Sequence, residues 1–189
     1  MDNKKFIAET KDVRLTVKRA DTFGVSFVNC EQDILRVEEE QNVIRLIQTK
    51  KVSALNWVRW LTQGMPEIVV SLPHDVEVCE VESDSNRVLI ADIEIGKLYV
   101  EVNNGSVKVV NLKADDVFLK CCNGSVSATN VEVTHVCTLD TLSRITLSMR
   151  LRCILGLLKR MKSISAPDSV WSSAQDVNVK RCTHFAPSW

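Results

Sequence analysis

A short motif recurs along this chain at a fixed spacing. It reads Ser85-Asn86-Arg87-Val88, Asn104-Gly105-Ser106-Val107 and Asn123-Gly124-Ser125-Val126, and Leu142-Ser143-Arg144-Ile145 begins one equal period later. A constant period of this size is typical of architectures that stack one supersecondary unit on the next. A single unit cannot bury its own apolar face, so several units must pack together. The repeat therefore predicts a stacked fold.

The apolar positions of the repeat predict two short strands in each unit. The first apolar position holds Val88, Val107, Val126 and Ile145. The next, two residues later, holds Ile90, Val109, Ala128 and Leu147. Side chains two residues apart point to the same side of a strand, so both positions are expected in the core. Ten residues after the first position stand Leu98, Val117, Val136 and Leu155, which places a second strand in each unit.

The Asn-Gly turns leave two arrangements of these strands open. Glycine reaches positive φ at little cost and asparagine tolerates it, which suits a bend repeated in every coil. Asn-Gly also favours a two-residue hairpin, so an antiparallel β-meander or sandwich is the alternative. The strict period favours a solenoid in which Val107 lies on Val126, since meander strands alternate in direction and need no identical turn. The fold class is therefore predicted as all-β, a solenoid with 19-residue coils.

Composition and charge divide the chain into two parts. Hydrophobic residues make up 45% of the 189 residues and aromatic residues only 5%, which favours β-branched strands over a helical globule. Residues 1–140 contain 16 Lys and Arg against 22 Asp and Glu, a net charge of −6, whereas residues 141–189 contain 8 against 2, a net charge of +6. We therefore predict a β-strand-repeat solenoid domain over 1–148, with regular repeats over 85–148, and a basic cap or tail over 149–189.

Three segments outside the regular repeats have patterns of their own. Residues 5–50 alternate as short strands, and Glu38 to Asn42 are predicted to form a charged hairpin tip. Residues 53–64 are predicted as one or two helical turns, in which Trp57 and Trp60 share a face and form a lid on the core rather than an exposed contact patch. Residues 149–162 resemble a basic amphipathic helix that either caps the stack or touches an anionic membrane surface. The C-terminal segment is expected to be helical or less ordered than the solenoid.

The sequence predicts no catalytic, cofactor-binding or metal-binding residues. None of the three histidines pairs with cysteines or carboxylates at the spacing of a zinc site: His74, His135 and His184. Asp115-Asp116 falls at a bend between strands, and other carboxylates flank the first repeat without a calcium-loop spacing: Glu82, Asp84, Asp92 and Glu94. These groups are interpreted as residues of bends and solvent-facing positions.

The seven cysteines and the N-terminus bear on location. The cysteines are odd in number and include no Cys-x-x-Cys pair, and the N-terminus has no secretory signal pattern, so reduced thiols in a cytoplasmic protein are expected. Cys121 and Cys122 are neighbours, so strand alternation predicts one buried and one exposed thiol. The acidic 1–140 body argues against nucleic acid as a partner.

The strand Ile68-Val69-Val70-Ser71-Leu72-Pro73, followed by the two Asn-Gly-Ser-Val turns, resembles a known family. It is similar to the bacterial β-strand-repeat "putative adhesin" family, a domain of unknown function, and it looks related to head-type autotransporter adhesin domains. The resemblance spans residues 5–148, and it departs from the family pattern at Asn86-Arg87 and at Ser143-Arg144. It implies a right-handed β-helix-like fold and a cell-envelope or surface context, and it brings no catalytic residues.

The leading hypothesis for function is a non-enzymatic β-repeat scaffold that presents surfaces to a protein partner. The expected location is the cytoplasm, with envelope association through that partner. A carbohydrate-active enzyme on a β-helix and a membrane-surface sensor acting through residues 149–162 are the alternatives. No small-molecule substrate is evident from the sequence.

Overall fold

The longest element in the computed structural model is one continuous ribbon of 66 residues, β7 (Val76–Thr141). The other strands are β1 (Lys4–Thr10), β2 (Arg14–Arg19), β3 (Gly24–Val28), β4 (Leu35–Glu40), β5 (Val43–Gln48), β6 (Glu67–Leu72) and β8 (Arg144–Ser148), and a 3₁₀ turn spans Gln32–Ile34. The structure describes residues 4–52, 64–141 and 144–148, the last of these by backbone alone. The predictions for Trp57 and Trp60 and for residues 149–189 lie outside these ranges.

The repeats stack in parallel, one coil on the next. β8 pairs in parallel with β7, with Val126 opposite Ile145 and Ala128 opposite Leu147. The two residues of each pair are equivalent positions of successive repeats, so the pairing register equals the period of the sequence motif. Neighbouring strands of a sheet lie about 4.8 Å apart, so each repeat position forms a row along the stack. The predicted all-β solenoid is confirmed, and the repeats do not form the alternative meander.

The N-terminal strands form a coil inside the stack. β1 and β2 pair in parallel with the start of β7, and the register places Phe6 opposite Cys79 and Leu15 opposite Val88. On its other side this coil pairs in parallel with β5 and β6. The first coil in the sequence is therefore covered on both sides by later strands.

Antiparallel pairing is found at the edges of the sheet, where β3 pairs with β6 and β4 pairs with β5. Glu40 lies opposite Val43, which confirms a hairpin here, but its turn is limited to residues 41–42, because Glu38 to Glu40, predicted as part of the tip, pair with β5. The edge strand β4 carries Glu38, Glu39 and Glu40. Charged side chains on an edge strand discourage pairing with another chain.

The core runs through the inside of the coils as rows of aliphatic side chains. Val88, Val107 and Val126 are each 0% exposed, as predicted for the first repeat position. The rows two and five residues further along are also buried: Ile90, Val109 and Ala128, and Ile93, Leu112 and Val131. Because each side chain packs against its equivalents above and below, the hydrophobic stabilisation accumulates with the number of stacked coils.

The prediction that Val136 continues the core row of Leu98 and Val117 is wrong. Val136 is 42% exposed, and Cys137, one position beyond the expected period, is buried in its place. The hydroxyl of Thr134 still bonds to the carboxylate of Asp115 one period earlier, so the extra residue enters just after Thr134. A shift of one residue turns every following side chain to the opposite face of a strand.

Two rows of bends with positive φ turn the chain at the corners of each coil. The first row contains Asn86 at φ 76°, Gly105 at 157° and Gly124 at 154°. A Cβ atom on Gly105 would lie 1.8 Å from the carbonyl oxygen of Asn86, and one on Gly124 would lie 1.7 Å from that of Gly105. The glycines of the Asn-Gly motif therefore mark a corner at which the preceding coil leaves no room for a side chain. Asn86 keeps its side chain, because it lies next to the N-terminal coil, where its amide donates to the Asp12 carbonyl at 2.7 Å. The second row contains Asp92, Asn111 and Asn130, with φ between 52° and 53°.

The register slip after Thr134 predicts that Val117→Ala and Val136→Ala lower the free energy of unfolding by different amounts. Val117→Ala deletes buried methyl groups and is expected to lower the free energy of unfolding by about 2 kcal/mol. Val136→Ala removes a solvent-exposed side chain and is expected to change it by less than about 0.5 kcal/mol. Urea denaturation of both variants measures the difference. Equal losses would show that Val136 is a core residue.

Gly105→Ala is expected to lower the free energy of unfolding by about 2 kcal/mol or more, because it adds a clash with backbone to an unfavourable φ. Gly24→Ala is the matched control, since its Cβ would meet nothing closer than the Cβ of Ser71 at 3.9 Å. We expect the control to stay within about 1 kcal/mol of the parent protein. Denaturant unfolding that gives similar values for both variants would contradict the close stacking at this corner.

Candidate interaction surface

The outer face of β7 between the two rows of bends forms a continuous wall, which we call the long wall (residues 76–84, 97–103 and 116–122, with β1 and β5 alongside). Core and surface positions alternate along it, so its outward side chains are fixed by the burial of their neighbours. Equivalent residues of adjacent coils lie side by side because the coils stack in register. Outward pairs one period apart therefore form rungs across the wall.

An aromatic rung occupies the middle of the long wall. The rings of Tyr99 and Phe118 stack with centroids 4.7 Å apart and an interplanar angle of 2°. Both side chains are half-buried. The hydroxyl of Tyr99 donates a hydrogen bond to Oε2 of Glu101 at 2.5 Å. This hydrogen bond raises the pKa of Tyr99 to about 12, because ionised tyrosine would lose it and would face the carboxylate.

Charged rungs flank the aromatic pair on both sides. Lys120 Nζ donates to Oε1 of Glu101 at 2.6 Å, and Lys97 Nζ lies 3.8 Å from the Asp116 carboxylate. The hydrogen bond from Lys120, with that from Tyr99, lowers the pKa of Glu101, and the same contact raises the pKa of Lys120. The middle of the wall is thus a charge-balanced patch around two stacked rings.

Three of the carboxylates singled out in the sequence, Asp92, Asp115 and Asp116, contact side chains of an adjacent coil. Asp115 accepts a hydrogen bond from the Thr134 hydroxyl at 2.6 Å, and its neighbour Asp116 faces Lys97. Asp92 accepts a hydrogen bond from the Asn111 amide at 2.7 Å. Within residues 4–52, 64–141 and 144–148, no three His, Cys, Asp or Glu side chains are grouped so that they could hold a metal ion.

The thiols follow the predicted alternation. Cys121 is buried and Cys122 is partly exposed, and both are free thiols in the structure. Burial raises the pKa of Cys121 and raises that of the fully buried Cys79 to about 12. Thiols held in the neutral form are poor nucleophiles and poor metal ligands.

The two described histidines lie at exposed positions. His74 follows Pro73 and lines a shallow cleft with Arg19 and Glu94. His135 is next to Val136, at the register slip. His184 lies outside the described residues.

Sequence reasoning missed a row of polar side chains that points inward at the first corner. Gln48, Thr10, Ser83 and Thr141 are the buried polar residues of the described chain, and Thr10 lies opposite Ser83 in the parallel register. Gln48 Oε1 accepts hydrogen bonds from the backbone N–H of Lys11 at 2.7 Å and Asp12 at 3.3 Å. No repeat motif marks this row, because it joins coils that are separated by unequal lengths of chain.

Among the residues that the structure describes, no helix has the length and apolar content needed to cross a membrane.

The chain was compared with protein families, curated proteins and solved structures. A family model described as Toastrack DUF4097 matches residues 5–148. No curated protein matches the chain. A crystal structure of a putative cell adhesion protein from Clostridium sporogenes aligns with 11% sequence identity and a TM-score of 0.46, over 83% of this chain and 93% of that one. The relation to head-type autotransporter adhesin domains stays a prediction, as does the domain division after residue 148.

The lowered pKa of Glu101 predicts a pH-dependent effect of Glu101→Gln. A carboxylate whose pKa is depressed on folding adds stability above its unfolded pKa and loses that stability as the pH falls through the folded pKa. The variant is therefore expected to unfold slightly more easily than the parent at pH 7, and the difference is expected to vanish in acid. The effect is small because solvent screens the pair.

Thermal unfolding from pH 7 into the acid range measures the effect, with Glu40→Gln as the control. Glu40 is exposed at the end of the edge strand β4 and has no ion pair among the described residues, so its variant is expected to follow the parent across this range. A difference in melting temperature between the parent and Glu101→Gln that grows as the pH falls would contradict the lowered pKa of Glu101.

Proposed function

The chain belongs to the Toastrack DUF4097 family, and on that premise we propose that it is a non-enzymatic β-repeat scaffold whose long wall binds another protein. The stack supports this role because it holds outward side chains in fixed rows on a rigid support. A surface that is ordered before binding loses less conformational entropy when a partner docks.

The observation that carries the proposal is the stacked pair of Tyr99 and Phe118 between charged rungs. Aromatic side chains are enriched among the residues that dominate binding energy at protein interfaces. The surrounding Glu101–Lys120 and Lys97–Asp116 pairs supply a polar rim. Such a rim contributes more to orientation and specificity than to affinity.

A carbohydrate-cleaving enzyme is the weaker interpretation. Glycoside hydrolysis normally uses two carboxyl groups that face a substrate across a cleft. Asp115 and Asp116 instead contact Thr134 and Lys97 on the wall. Outward positions of the described coils also differ in residue type, as with Lys108 and Ser127, which argues against a row of like catalytic groups there.

The proposed location is the cytoplasm, with envelope association through the protein partner. The partner is proposed to be a protein because the patch is small, rigid and charge-balanced. The lack of a net charge on the patch gives no reason to favour a polyanion such as nucleic acid.

Affinity capture from the protein's own cells tests this proposal. The full chain is compared with the Tyr99→Ser/Phe118→Ser double variant, and Val110→Ser serves as the control. Val110 is half-buried and faces outward on the next wall of the same coil. Circular dichroism and thermal unfolding confirm that each bait is folded.

We expect the parent and the control to retain the same protein reproducibly, and the double variant to retain about fivefold less or none of it, as for loss of an aromatic interface anchor. Absence of any reproducible protein, or equal capture by a folded double variant, would contradict the proposal.

A further inference from the structure

Charged side chains of the long wall lie on either side of a central row, which contains Ile7, Glu80, Tyr99 and Phe118. Lys97 and Glu101 come two positions before and two positions after Tyr99. β1 and the strand of residues 116–122 have equivalent pairs: Lys5 and Glu9, and Asp116 and Lys120. In each of these strands a cation and an anion therefore flank an apolar or aromatic residue.

The register of the strands aligns these charges into an acidic row and a basic row across the wall. Glu9 lies opposite Glu82, and Glu101 comes one period after Glu82, so three carboxylates form the acidic row. The basic row lies four residues earlier in the same strands, about 13 Å away, and contains Lys5 and Lys97. The long wall therefore has a charged stripe of each sign on opposite sides of its centre.

The acidic row is only partly neutralised within one chain. Glu9 and Glu82 are exposed, and neither forms an ion pair or a side-chain hydrogen bond with a described residue, whereas Glu101 contacts Lys120. Like charges that lie opposite each other on adjacent strands are destabilising. A protein surface that brings cations to this row is therefore favoured as a partner.

We propose that the partner of the long wall is a second copy of this chain, an inference that rests on the function proposed above. The two walls face each other about a two-fold axis that runs along the central row. Such an axis exchanges the two flanking rows, so the acidic row of each copy meets the basic row of the other. In the strand of residues 116–122 the same axis places Asp116 opposite the partner subunit's Lys120.

The centre of this interface brings the central row of one copy against the central row of the other. Its apolar and aromatic side chains each approach their own equivalents, and such side chains are typical anchors of protein interfaces. Glu80 also lies in this row, and Lys5 Nζ neutralises its carboxylate from 2.8 Å. Arg45, opposite Ile7 on β5, is exposed and lies toward the edge of the sheet, where its long side chain can turn to solvent.

The size of the long wall fits a weak dimer. Its five strand segments, about 4.8 Å apart and about seven residues long, cover about 550 Å² on each copy. The total of about 1,100 Å² lies at the lower end of the range for specific interfaces. We therefore expect reversible association with a dissociation constant of about 10–100 µM.

Sedimentation equilibrium of the purified full chain measures this association. The parent is expected to form dimers as its concentration rises to about 200 µM, and added salt is expected to weaken them because it screens the ion pairs. The Tyr99→Ser/Phe118→Ser variant is expected to associate at least about tenfold more weakly. A parent that stays monomeric at this concentration, or a folded double variant that associates like the parent, would overturn the inference.

Charge reversal tests the pairing of the two rows. Lys97→Glu and Glu101→Lys should each weaken self-association at least about fivefold, because like charges then meet across the axis. A one-to-one mixture of the two variants should associate like the parent, since a mixed dimer restores opposite charges at both positions. Lys113→Glu is the matched control, because Lys113 is exposed beyond the second corner and off the long wall.

The control is expected to associate like the parent, and circular dichroism confirms that each variant is folded. A mixture that associates no more tightly than either charge-reversed variant alone would contradict the predicted axis.

Sedimentation and affinity capture together distinguish a failure of this inference from a failure of the proposed function. A parent that is monomeric in sedimentation but reproducibly retains a different protein overturns the inference and leaves the proposed function in place. Dimers in sedimentation, with the same chain as the protein captured, support both.

Discussion

The structure depends on parallel backbone pairing between coils that are one sequence period apart. This pairing satisfies the backbone N–H and C=O groups of each coil through the coils on either side. It also fixes which side chains point inward, since alternation along a strand leaves no freedom once the register is set. The valine rows of the core and the side-chain rungs of the surface are two consequences of the same register.

The corners maintain this register by limiting which residues fit there. At Gly105 and Gly124 the carbonyl oxygen of the preceding coil occupies the space that a side chain would need. At the second corner the amide of Asn111 donates to Asp92, and the amide of Asn130 donates to Asn111 at 2.8 Å, so polar side chains tie each coil to the one before. Backbone conformation and side-chain bonding therefore repeat with the same period. By holding the register, the corners also determine which outward side chains lie next to each other on the proposed binding surface.

The sequence predicted the solenoid because the Asn-Gly motif and the aliphatic positions carry the same period. It did not predict the exposure of Val136, because the extra residue is compensated before Ser125 pairs with Arg144, and the motif therefore stays in phase on both sides of the slip. The number of residues from one motif to the next therefore does not reveal a change of register between the motifs.

The surface sites were less accessible to sequence reasoning. Tyr99 and Phe118 are one period apart, yet the pattern that revealed the fold was the inward one, and outward positions vary in residue type. Glu9 and Glu82 lie opposite each other on adjacent strands, although they are distant in the sequence and no repeat motif marks the pair. Such a juxtaposition follows from the position of the N-terminal coil inside the stack. Only the three-dimensional topology supplies it.

Nuclear Overhauser contacts between methyl groups test the in-register stack most directly. The account predicts strong contacts between Val107 and Val126, one period apart, and between Leu119 and Leu139 across the slip, where the separation exceeds the period by a single position. A spectrum in which the methyl groups of Val107 contact residues of an antiparallel neighbour, and show no contact with Val126, would contradict it.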